Sequence, residues 1–304
     1  MEVNLFNRLV IIGAPSSAGA YAPGQEKSPA ALRAAGLLEF LSARGIAVDD
    51  RGDVPGFRWR ADKVNPRAMN ASIVATIAKA TAEGVTDALA ENAAVLVLGG
   101  DCTVELGMVA GALSRTESIG LVYIDLDTDL NTPESTDDGA LDWMGVAHML
   151  GVEGTVPELV RLGPRMPLLH PYQIHFFAND NSKPFERRGI AEVRLADVVA
   201  DPTGAAQAVA DGWAQQFAQL LVHLDVDVLD YLDMPLAENY RRNEGLRFDQ
   251  LMAALRPLLL APNWVALTLT EVNPDHGESD GSTLRAFAEA LADVLAASHR
   301  WQSP

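Results

Sequence analysis

Short unbroken runs of apolar, mostly β-branched or leucine residues alternate along the chain with longer stretches whose apolar positions recur every three or four residues. Runs at 9–12, 94–98, 121–124, 220–224 and 264–270 have the length and composition of strands buried on both faces, as in a parallel sheet, and Ile174-His175-Phe176-Phe177 reads as another. Between them, residues 72–90 carry Ile73, Ile77, Ala80 and Val85 at helical spacing; 205–219, 249–259 and 282–297 read as further helices, with a shorter one at 143–150. Ser28-Pro29 opens another that runs to about residue 41, with Ser28 as cap and Pro29 in the first position. A short strand is expected at 46–48. Alternation of strand, helix and strand predicts an α/β protein on a mainly parallel sheet. With no internal repeat or linker in view, a single domain over residues 1–304 is expected.

Three of these strands end in groups that carry chemistry. The run at 121–124 leads into Asp125-Leu126-Asp127-Thr128-Asp129, and the run at 220–224 into Asp225-Val226-Asp227. In extended chain, side chains two apart share a face, so each motif is expected to aim its carboxylates together. Their mutual repulsion calls for a cation, and oxygen ligands at that density suit hard divalent metals such as Mn²⁺, Mg²⁺ or Ca²⁺. An acidic, solvated loop tip is the plainer reading of either motif alone; two such strand ends together favour a site. The run at 94–98 ends in Gly99-Gly100-Asp101-Cys102-Thr103, where glycines let backbone approach closely. Ligands of open parallel α/β sheets gather outside the carboxyl ends of the strands, which is where these three stretches meet.

Composition narrows the function classes. The formal net charge of −18 and the lack of any basic run exclude a phosphate-binding surface, and so a nucleic-acid partner. The glycine- and serine-rich loop after the first strand contains neither GxGxxG nor GxxxxGK[ST], so it is no nucleotide cradle. One cysteine excludes an intramolecular disulfide framework and fits a reducing compartment. No signal peptide or membrane-length apolar stretch is visible, so a cytoplasmic protein without a membrane partner is expected.

Taken together, the segments Lys27-Ser28-Pro29-Ala30-Ala31-Leu32-Arg33, Gly99-Gly100-Asp101-Cys102, Asp125 through Pro133, Asp225-Val226-Asp227 and Glu271-Val272-Asn273-Pro274 resemble the ureohydrolase family in order and spacing. That family includes arginase, agmatinase and formiminoglutamase, and the resemblance covers nearly the whole chain. It implies a three-layer α/β/α sandwich of arginase-like type, assembly into trimers or hexamers, and two Mn²⁺ ions that activate a water to attack a guanidinium-type carbon. On that resemblance Asp125, Asp127, Asp129, Asp225 and Asp227 bind metal, with Cys102 as a further candidate. Glu271 matches the carboxylate that receives the guanidinium, and Asn131 matches a substrate-binding asparagine.

The departures are as informative. Cys102 and Asp127 stand where the family has histidine ligands, and Asp142 stands where a third histidine assists proton transfer. Four aspartates with two neutral imidazoles balance two divalent ions, whereas five aspartates and a thiolate leave surplus negative charge that holds a cation but weakens its pull on bound water. Cys102 is a soft ligand and opens the choice of ion to Zn²⁺, Fe²⁺ or Ni²⁺; the alternative is a small buried thiol. Asp142 and His223 are candidates for moving protons. His223 shares the strand face of Asp225, though a satisfied core histidine is the alternative, and His276 reads as a loop residue. The arginase loop that grips the amino-acid end of the substrate has no clear counterpart around Asn179-Asp180-Asn181. Two functions are therefore expected to compete: a metal-dependent hydrolase cleaving a C–N bond in a guanidino or amidine compound, and a catalytically inactive binding or assembly subunit.

Overall fold

The computed structural model describes residues 5–180, 189–239, 241–297 and 301. Each unbroken apolar run forms a strand: β1 (Leu9–Gly13), β3 (Ala94–Leu98), β4 (Ile119–Ile124), β5 (Ile174–Asn179), β7 (Gln219–Asp225) and β8 (Trp264–Thr270). Their residues are buried almost throughout, which is why these strands read as continuous runs and not as alternating ones. Two edge strands complete the sheet. β2 (Val48–Asp53) is mostly charged and pairs only with β1, and β6 (Ala191–Arg194) pairs only with β5. The strand expected at 46–48 therefore lies further on, and β6 carried no apolar run to announce it.

All neighbours pair in parallel, in the order β2-β1-β3-β8-β7-β4-β5-β6. Parallel neighbours need right-handed crossovers, so the direction of each step across the sheet decides which face its helix covers. Steps toward β6 carry α3 (Ala71–Ala90), α4 (Glu105–Leu113), α5 (Gly145–Met149) and α6 (Pro157–Val160), which pack on one another. Steps in the other sense carry α1 (Ser28–Ala34), α2 (Leu37–Ala43), α7 (Leu195–Ala200), α8 (Pro202–Gln216) and α9 (Phe248–Leu260), joined by α10 (Ser282–Ala296). Two helical layers enclose the sheet, as expected for a three-layer α/β/α sandwich.

Local differences from expectation have plain causes. The helix from Ser28 starts at that residue, its hydroxyl makes no cap, and it breaks at Gly36, whose φ of 95° only glycine adopts without strain, before α2 begins. Helix α4 gave no periodic signal because all nine of its residues are buried, so no polar face marks it. The short helix expected at 143–150 is a 3-10 turn at Asp142–Met144 followed by α5.

The crevice follows from this topology. At the carboxyl ends of the central strands, chain leaving β3 and β4 turns to one helical layer, while chain leaving β8 and β7, which lie between them, turns to the other. The loops part above the middle of the sheet, as at the switch points of open α/β sheets.

Candidate metal centre

Asp125 follows the last residue of β4, and Asp225 is the last residue of the adjacent β7. Each caps a tight turn in the same way: the Asp127 amide donates to Asp125 Oδ1 at 2.6 Å, and the Asp227 amide donates to Asp225 Oδ1 at 2.7 Å. These are Asx-type turns, in which an aspartate side chain bonds the backbone two residues on. The carboxylates therefore converge through turns and not through extended alternation, since β4 has ended at Ile124. Asp129 takes a left-handed backbone, φ 48°, as does Glu271 just past β8, φ 62°. Non-glycine residues held there are uncommon and gather at functional sites.

These turns bring Asp125, Asp127, Asp129, Asp225, Asp227, Cys102, Asp142 and Glu271 around one small cleft, with Trp143 and Asn239 completing its wall. All the acids but Asp127 are buried; Asp127 keeps 28% of its side chain exposed and faces the Arg241 guanidinium at 3.5 Å. Asp129 accepts a 2.5 Å hydrogen bond from the Tyr123 hydroxyl, and Asp227 one of 3.3 Å from Asn239. Asp227 Oδ1 and Glu271 Oε1 are buried without a partner. Burial raises the pKa of Asp125 well above the usual carboxylate range, reinforced by Asp227, Asp129 and Asp225. Burial does the same for Asp225, with Asp227 and Glu271 adding to it, and brings Asp227 to about 7. Orphaned oxygens among desolvated like charges are what a hard divalent cation relieves, and Asp125, Asp225 and Asp227 offer oxygens within 4.8 Å of one another. The donor set fits a divalent metal.

Cys102 opens the 3-10 turn after β3 and is buried, its Sγ 3.1 Å from Asp225 Oδ2 and 3.2 Å from Thr270 Oγ1. Burial, then Asp225 and Glu271, push its thiol well up. Asp142 lies at the cleft wall, where burial and then Glu271 and Asp101 raise its carboxyl well above the usual range. His223 sits below the cleft floor, fully buried, stacked on Tyr123 with ring centroids 4.1 Å apart. Asn131 lies outside the cleft lining, its Oδ1 accepting from Ser135. His276 is also outside, its Nδ1 2.8 Å from the Ala237 carbonyl. Asn179 ends β5, its Nδ2 donating to the Leu126 carbonyl; Asn181 lies outside the described residues.

Three residues with positioning contacts were not singled out from sequence. Asp101 accepts from the Gly19 and Thr103 amides, and the Gly19 carbonyl in turn accepts from the Leu141 and Asp142 amides, so one buried carboxylate ties together the loop after β1, the end of β3 and the wall carrying Asp142. Gly100 permits this closeness, because a Cβ there would stand 1.7 Å from the Ser16 carbonyl oxygen. Gln25 donates to Glu271 Oε2 at 3.0 Å, leaving Oε1 without a partner, and Tyr123 holds Asp129. Asp101 stands inside the Gly-Gly-Asp motif and was legible as such; Gln25 carried no signal.

A family model described as the arginase family matches residues 7–297. The arginase of Bacillus subtilis strain 168 is 28% identical over 92% of this chain and 96% of its own length. That of Agrobacterium fabrum is 30% identical over 94% and 90%. The solved arginase of Bacillus caldovelox superposes with a TM-score of 0.86 at 26% identity, covering 96% of this chain and 99% of that one. Among the described residues, no helix is long and apolar enough to cross a membrane.

Proposed function

The chain belongs to the arginase family, and from that premise we propose that it is a divalent-metal-dependent hydrolase cleaving a C–N bond in a guanidino or related amidine compound. The observation that carries the reading is the buried carboxylate cleft with Asp227 Oδ1 and Glu271 Oε1 unpartnered. Asp125, Asp129, Asp225 and Asp227 would hold two ions, Mn²⁺ by family, with Asp127 and Cys102 as further ligands. Bound there, divalent ions supply Lewis acidity and a water made nucleophilic near neutral pH.

The chain's own residues do the rest. Glu271, fixed through Oε2 by Gln25, presents Oε1 to a cationic amidine and orients it by charge-assisted hydrogen bonds. Asp142, whose carboxyl burial and then Glu271 and Asp101 push well above the usual range, would give a proton to the departing amine. Trp143, stacked on Tyr21 with centroids 6.0 Å apart, closes the cleft's side against water. Asn131 is proposed to meet the outer end of the substrate, and His223 to support proton movement from below. By family the protein is proposed to work as a homo-trimer or hexamer in the cytoplasm.

A second reading is favoured by one observation: among the described residues no histidine lines the cleft, and Cys102, Asp127 and Asp142 stand where the resembled family pattern has histidine. It holds that the protein is an inactive binding or assembly subunit. Metal analysis and a guanidine panel separate the two. Hydrolase function requires bound divalent metal and urea or ammonia release that Asp225→Ala abolishes; retained metal with no turnover by the wild type supports the second reading. Less than one ion per chain after Mn²⁺, Zn²⁺ or Ni²⁺ loading would sink the two-ion mechanism.

A further inference from the structure

The buried side chains form two ligand triplets that share one residue. Asp125, Asp225 and Asp227 offer oxygens only; Cys102, Asp125 and His223 offer sulfur, oxygen and nitrogen, again with all ligand atoms within 4.8 Å. The second triplet reaches below the cleft floor, and Asp225 Oδ2 stands 3.1 Å from the sulfur as a fourth donor.

The imidazole of this triplet is held as a ligand would be. His223 Nδ1 is 3.2 Å from Glu105 Oε2, and both residues are fully buried. A carboxylate at Nδ1 fixes the proton on that nitrogen and leaves the Nε2 lone pair for a metal, the arrangement of carboxylate, histidine and zinc. Nε2 faces the Thr270 hydroxyl at 3.4 Å, a long contact, and that hydroxyl is also within reach of the Leu224 carbonyl at 3.2 Å and of Cys102 Sγ at 3.2 Å. Glu105 is the one charged residue in a helix buried on every side, with its Oε1 unpartnered. A carboxylate is costly in such a place, and a metal-bound imidazole at its other oxygen would offset that cost.

We propose that the centre holds two unlike cations: a thiolate- and imidazole-bound ion of the zinc type at Cys102, His223, Asp125 and Asp225, and a hard, oxygen-bound ion such as Mn²⁺ at Asp125, Asp225 and Asp227. Thiolate and imidazole select the softer ion and carboxylates the harder one. Tetrahedral zinc with bonds of about 2.0–2.3 Å spaces its ligand atoms about 3.3–3.8 Å apart, so pairs as far apart as 4.8 Å would close by about 1.0–1.5 Å. On binding, the Cys102 sulfur exchanges its proton, released to solvent, for the metal bond, with no change of oxidation state.

This inference rests on the reading that the cleft binds metal, and its test keeps the two apart. Metal-stripped protein is loaded with Co²⁺ followed by absorption, and with Zn²⁺ followed by X-ray absorption. Wild type should show a thiolate-to-cobalt charge-transfer band and one zinc–sulfur distance of about 2.3 Å. Cys102→Ser should abolish the band and weaken zinc about 10- to 100-fold, a larger loss than manganese suffers. His223→Gln should weaken zinc while the band persists. Ions bound through oxygen and nitrogen alone in wild type overturn the proposal and leave the hydrolase reading standing; no binding of any divalent ion overturns both. The wild-type spectra need no variant to fold.

Discussion

The cleft carboxylates are held in a state that only protons or cations relieve. For the buried ones, Asp125, Asp129, Asp142, Asp225, Asp227 and Glu271, the folded pKa values lie above those of the unfolded chain, so protonation stabilises the metal-free fold at low pH, and that contribution is lost as pH rises through the folded values, about 7 for Asp227. A divalent ion competes with those protons. Added Mn²⁺ or Zn²⁺ should therefore raise the melting temperature more at pH 8 than at pH 5, the stabilisation being about 2.7 kcal/mol at a hundredfold excess over its dissociation constant, and Asp225→Asn should shrink the increment. Calorimetry of chelator-treated protein checks this; a melting temperature indifferent to metal at both pH values would show that the cleft is not a metal site. The ligand candidates were legible because two D-x-D motifs stood at the ends of apolar runs. Their partners were not: Gln25 and Glu105 reach the centre from other elements, and Tyr123 of β4 meets Asp129 only through the turn that follows the strand.

Among the elements, the six strands buried on both faces could be read directly, and the all-buried helix α4 and the polar edge strands could not, because pattern requires a contrast between faces. Helix α5 carries a titratable device of its own. His148 is fully buried, its Nδ1 2.7 Å from the Met144 carbonyl and its Nε2 accepting from the Val156 amide at 3.1 Å, and burial lowers its pKa to about 4. The unfolded chain takes up a proton at this residue below about pH 6.5 while the folded chain does not, so stability falls as pH drops from there toward 4. The loss should be on the order of 3 kcal/mol. His148→Gln, which keeps donor and acceptor atoms near both partners, should flatten this part of the acid limb. Urea midpoints measured across pH 4 to 7 for both proteins decide it; parallel curves would mean that His148 is not what senses acid.

Across the whole molecule, the order of strands in space differs from their order in sequence. The four strands beneath the cleft, β3, β8, β7 and β4, are drawn from residues 94 to 270, and β4 meets β7 only after β5, β6 and α8 have intervened. During synthesis, then, the first half of the ligand set waits unpartnered until more than ninety residues later the second half arrives. Pairings this distant in sequence form late, because closing the intervening chain must precede any reward from contact. A cation cannot act as a seed for such a fold; it can only lock it. Metal should thus leave the refolding rate nearly unchanged and slow unfolding about a hundredfold at a hundredfold excess over the dissociation constant, as expected of contacts absent from the transition state. Stopped-flow kinetics with and without chelator would show the lock in the unfolding arm alone, and the protein's lifetime under proteolysis would then be set by the metal supply it meets after folding.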